Sequence, residues 1–161
     1  MVILRLLLLT IVAAFAVPAF AQHPATTAAD ADVEMLIQKI KADKRLLVAA
    51  NMNLTDPEAK QFWPLYDAYQ KELEEINQQL ATTIKEYADA LDKGPIPDDI
   101  AMKLMNEALS VQEAELALKR GYAAKIATVL PGAKTARFIQ MENRIRAVLN
   151  TEIARQIPLV Y

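Results

Sequence analysis

The chain has 161 residues, 53% of them apolar and 24% charged, with a formal charge of −2, one histidine and no cysteine. That composition excludes disulfides, thiolate metal sites, a cysteine nucleophile and a cysteine-linked lipid. Near-balanced, interleaved charge argues against nucleic acid as a partner, and three glycines among abundant Ala, Leu, Glu, Lys and Gln point to an all-α fold.

The first segment carries Arg5 as a positive leader, an apolar run over Leu6–Val17 of about 12 residues, and a small-x-small site at Ala19-Phe20-Ala21. A membrane span needs roughly 20 apolar residues, and Pro18 ends this run early. Residues 1–21 are therefore expected to be a cleaved secretory signal, which places the protein in the periplasm without stable membrane insertion. Loss of Arg5 takes the net charge from −2 to −3. Residues 22–31 lack periodicity and read as a flexible leader; residues 32–161 read as a single helical domain.

The first helix is expected over Asp32–Asn51, with Val33, Leu36, Ile37, Ile40, Leu47 and Val48 as its apolar face and Asn51-Met52-Asn53 as a break. A strong helix start follows. Thr55 can cap, Glu58 can reach back to it, and Pro57 sits in the first turn, where its missing N–H costs nothing. From there Phe62, Tyr66, Tyr69, Leu73, Ile76, Leu80, Ile84, Tyr87 and Leu91 fall on one stripe of a long second helix. Pro64 removes one helical hydrogen bond and should bend this helix, which ends before Gly94-Pro95. So long a stripe demands another long helix, from the same chain or from a partner.

The third helix starts at Pro97-Asp98-Asp99 and buries Leu104, Ala108, Val111, Leu118, Tyr122, Ile126 and Val129, with Met105, Leu109 and Leu116 widening the stripe. Gly121 inside it suggests a close helix contact. After Leu130-Pro131-Gly132, a fourth helix carries Phe138, Met141, Ile145, Val148, Leu149 and Ile153 and stops before Pro158. Short connections make neighbours antiparallel. The expected architecture is a four-helix, elongated antiparallel hairpin whose middle two helices are longest. The apolar end, Ile157-Pro158-Leu159-Val160-Tyr161, either folds back over the helix ends or stays free.

Catalytic signatures are missing. His23 lies in the leader, Ser110 stands mid-helix without a histidine, and the glycines are too scattered for a phosphate loop. Glu113 and Glu115, or Glu142, could donate oxygens to a metal, and Met102–Met105 offers a soft pair, for which core filling at helical spacing is the simpler reading. No catalytic residue, metal or cofactor is expected. Trp63 sits off the main stripe and either packs at the bend or joins an exposed patch.

Leu54-Thr55-Asp56-Pro57-Glu58 resembles the LTxxQ signature of the Spy/CpxP family of bacterial periplasmic proteins, with Glu58 where that family usually has Gln. Degenerate echoes stand at Ile96-Pro97-Asp98-Asp99-Ile100 and Leu130-Pro131-Gly132-Ala133-Lys134. The resemblance implies an ATP-independent chaperone or stress-response adaptor, built as a thin antiparallel homodimer that binds partly unfolded polypeptides. Alternatives are a regulatory partner of a periplasmic sensor domain, or a metal-binding sensor. The chain departs from the family in being acidic and lacking the histidines of metal-responsive members. Client contacts are expected at Trp63, Met102, Met105, Leu116, Leu159, Val160 and Tyr161, the apolar groups not fully claimed by the main stripes.

Overall fold

The computed structural model describes residues 43–160, which are helical with no strand. The expected signal, the leader, the start of the first helix and Tyr161 lie outside the described residues. The described residues form four helices: α1 (described over 43–52), α2 (Asp56–Leu91), α3 (Asp98–Ile126) and α4 (Gly132–Gln156). At 36 and 29 residues, α2 and α3 both exceed the 25 of α4. No described helix is long and apolar enough to cross a membrane.

Chemistry at the turns sets the boundaries. The helix α1 continues through Met52, where a break was expected, and Asn53 then turns the chain with φ 49°. Asn is the side chain best suited to that left-handed cap after Gly. Thr55 and Glu58 form the expected capping box, with the Thr55 N–H donating to Glu58 Oε2 at 2.7 Å. Pro64 lies inside α2, which runs on unbroken to Leu91. Gly94 lies within the α2–α3 turn at φ +121°, a conformation L side chains rarely adopt.

Named contacts fix the topology. Lys44 meets Gln70, and Arg45 meets Asp67, so α1 runs antiparallel to α2. Tyr122 donates to Glu72 and Lys103 to Glu86, which sets α3 antiparallel to α2. Arg146 and Asn143 of α4 meet Glu115 and Lys119 of α3, again antiparallel. The fourth helix thus lies alongside α2 in the same direction, from Phe138 beside Phe62 to Pro158 beside Tyr87. The long α2 stripe is sealed largely within its own chain.

The core has two unequal parts. At the α1 end, Val48, Met52, Phe62, Tyr66, Tyr69, Leu73, Tyr122, Ile126, Leu130 and Phe138 form one cluster. Phe138 packs edge-on against Phe62, Tyr66 and Tyr69 at centroid distances of 5.5, 6.2 and 5.4 Å. At the hairpin tip the cluster is small: Ile84 and Ala88, with Leu80, Ile153 and Ile157 against them.

Several sequence expectations are corrected. Leu47 and Val148 point to solvent, Val148 at 73% exposure, although both were assigned to apolar faces. Buried positions on α4 include Thr135 and Glu142, so its inward face is partly polar. Met105, Leu109 and Leu116 do not widen the buried stripe of α3 but lie outside it. Gly121 marks no close approach, since a Cβ there would meet nothing within 4 Å.

Candidate functional site

One helix carries two apolar stripes. The inner stripe of α3, comprising Leu104, Val111, Tyr122 and Ile126, is buried. The outer stripe, Met102, Met105, Leu109 and Leu116, is exposed at 54, 45, 47 and 50%. Its steps of three, four and seven residues are those of a coiled-coil seam, so all four side chains stand on one line. Five of the ten exposed large apolar residues in the described chain belong to α3 once Ile100 is counted, so this face is the principal uncovered apolar surface.

Toward its C-terminal half the outer stripe becomes a groove against α4. Leu116, Ala123 and Ile139 supply apolar walls, with Gln112, Arg120 and Asn143 along the rim. The groove floor is set by charge. Arg146 Nε donates to Glu115 Oε1 at 2.9 Å, its Nη2 donates to Asn77 Oδ1 at 2.7 Å, and Lys119 joins Glu115 at 2.7 Å. Side chains of α2, α3 and α4 thus meet at this level, which holds the groove walls in register.

A second buried polar group lies between α1, α2 and α4. Lys44 Nζ donates to Glu142 Oε2 and to Gln70 Oε1, both at 2.9 Å, and Gln70 donates to the other Glu142 oxygen at 3.3 Å. Burial pulls the Lys44 pKa below the ordinary lysine value, against the opposing pull of Glu142. The Tyr69 hydroxyl faces the Glu142 charge but meets no partner at hydrogen-bonding geometry, and burial is the main cause of its raised pKa. Tyr122 is pushed up to about 12 by burial, with its hydrogen bond to Glu72 second. The carboxylates of Glu115 and Glu142, weighed as metal donors, are each occupied by cations of the chain itself. No group of three or more His, Cys, Asp or Glu side chains that could hold a metal occurs among the described residues.

The structure brings together only part of the expected contact set. Met102, Met105 and Leu116 share the outer stripe, and Leu109, assigned to the core by spacing, belongs with them. Trp63 does not join an open patch. The Arg45 guanidinium of α1 covers its ring at 4.2 Å, and Phe62 and Tyr66 meet it edge-on. Leu159 and Val160 are exposed at the hairpin tip, just beyond the Pro158 carbonyl that accepts from Tyr87 Oη at 2.8 Å. Tyr161 lies outside the described residues.

The LTxxQ-like residues have structural work. Leu54 packs on the aromatic cluster and Leu130, which opens the echo, lies inside it. Glu58 and Lys134, each the fifth residue of its motif copy, pair at 2.5 Å. Lys134 also donates to the Asn53 carbonyl at 2.8 Å. The two helix starts, α2 and α4, are thereby clamped side by side.

No protein-family model, curated protein or solved structure matches this chain.

Proposed function

We propose that this chain is an exported, ATP-independent binding protein that holds partly unfolded polypeptides on the outer face of α3. One observation carries the reading: Met102, Met105, Leu109 and Leu116 are uncovered apolar side chains on a single line of a long, well-anchored helix. Such a surface gains by covering apolar segments and imposes little sequence preference. Methionine adds adaptability, because its unbranched, polarisable side chain fits irregular partners. Held on a hairpin pinned by Arg146–Glu115, the stripe needs no nucleotide-driven change to be presented.

The amino-terminal signal pattern and the LTxxQ-like motif support a periplasmic setting and a stress-response role. The homodimer belongs to the same proposal. Because α4 and α3 cover most of the α2 stripe, the surface left to a second copy is the outer face of α3, where self-pairing and client binding would compete.

Aggregation of an unfolded client, followed by light scattering, tests the reading. Purified protein at substoichiometric to equimolar ratio should slow it, and Met105→Glu with Leu109→Glu should remove the effect while leaving helicity intact. An undiminished effect in that double variant, or none in the unaltered protein, would overturn the proposal.

A further inference from the structure

We propose that Met102 and Met105 form a paired oxidation site through which a peroxide or hypohalous acid weakens the apolar stripe. The inference rests on the reading of that stripe as a contact surface. Without cysteine, the thioethers are the only side-chain sulfurs in this chain. The described methionines differ sharply in access. Met52 is fully buried, and Met141 is half-buried against the aromatic cluster. Met102 and Met105 stand one turn apart on the same exposed line, and neither packs in a core cluster.

The chemistry is a two-electron oxygen transfer. A sulfur lone pair attacks one peroxide oxygen, the S–O bond forms and the O–O bond breaks. The departing hydroxide takes up the proton lost from the transferred oxygen and leaves as water. Sulfur is oxidised to the sulfoxide and peroxide is reduced. The same net transfer from hypochlorous acid releases chloride and a proton. A methionine sulfoxide reductase would reverse it.

Each product replaces a soft apolar sulfur with a strongly polar S=O group. Two such changes one turn apart would leave only Leu109 and Leu116 apolar on the stripe. The helix is not undermined, since both side chains face away from α2. Oxidation here acts on the surface and spares the fold, whereas oxidation of Met52 would place a polar group in the core.

The test treats purified, folded protein with hydrogen peroxide and follows each methionine by peptide mapping and mass spectrometry. Met102 and Met105 should oxidise together and several-fold faster than Met52 and Met141. Oxidised protein should elute earlier from a hydrophobic-interaction column and hold less client, and the Met102→Leu/Met105→Leu variant should be insensitive to peroxide in both. Equal oxidation of Met52 would overturn the proposal, as would full oxidation of the pair with unchanged column retention. If untreated protein holds no client, the proposed function falls while mapping and retention still decide the oxidation site.

Discussion

The two ends of the bundle are built on different principles. At the α1 end, four aromatic rings of α2 and α4 interlock, two helix starts are clamped by Glu58–Lys134, and Lys44 pins α1 through Glu142. At the hairpin tip the core thins to Ile84 and Ala88, and Met102, Met105 and Leu109 of α3 stand exposed. The aromatic cluster is thus concentrated at one end, while the longest uncovered apolar line, Met102 to Leu116, starts from the other. A binding surface can be placed on the thin end without exposing the core that holds the fold.

The largest expected effect tests the aromatic end. Phe138→Ala should cost about 3–5 kcal/mol, because it deletes a ring that touches three others, while Ile84→Ala at the tip should fall toward the lower end of about 2–5 kcal/mol. Equal losses in denaturant melts would break the comparison. Glu142→Ala follows at about 3–5 kcal/mol, since it leaves the Lys44 ammonium buried without its counter-charge. The Lys44→Met/Glu142→Leu pair should recover most of that loss, and a double-mutant cycle would show the coupling.

Smaller changes should stabilise. Tyr69→Phe removes a buried hydroxyl that has no partner, so a gain of up to about 1 kcal/mol is expected, where loss of a hydrogen-bonded hydroxyl would destabilise. Gly121→Ala meets open space in mid-helix and should add about 0.5–1 kcal/mol. A loss in either variant would show that the site is more tightly packed than its geometry indicates.

Helix number, helix order and the α2 stripe were legible because a 3.6-residue period is written directly in residues such as Phe62, Tyr66 and Tyr69. Which of two competing stripes becomes buried was not. The outer line of α3 has a period as good as the inner one, and only packing against α2, where Tyr122 meets Tyr69 and Glu72, decides between them. Residues Val148 and Glu142 show the same limit. Apolar Val148 faces solvent, while charged Glu142 is drawn inward because Lys44 and Gln70 are there to satisfy it, and those partners lie 98 and 72 residues away in sequence. The spacing of Trp63 suits either a packed or an open place, and what covers its ring is a cation from α1, distant in sequence. The Thr55–Glu58 start was legible as a cap, but its pairing with Lys134 was not, because capping signatures report only their own helix.

The smallest effects sharpen the contrast at its ends. The Glu58 carboxyl is held below its ordinary range, first by Lys134 and then by the Thr55 N–H. A depressed folded pKa means stability that is present above the unfolded value and is lost as pH falls through the folded one. Acid melts of Glu58→Gln should therefore start to converge on those of the unaltered protein once the pH falls below the ordinary glutamate value of about 4.3, and meet only below the depressed folded value, since the variant keeps the cap but lacks the titrating charge. At the other end, the carboxyl-terminal segment divides at Pro158. Ile157 packs on the Ile84–Ala88 cluster and Pro158 is held by Tyr87, whereas Leu159 and Val160 are exposed. Deleting residues 159–161 should shift the melting temperature by no more than about 1–2 °C. Deleting 157–161 should lower it further, because Ile157 leaves a gap in an already thin core. If both truncations melted alike, the tip would have no packing of its own to lose.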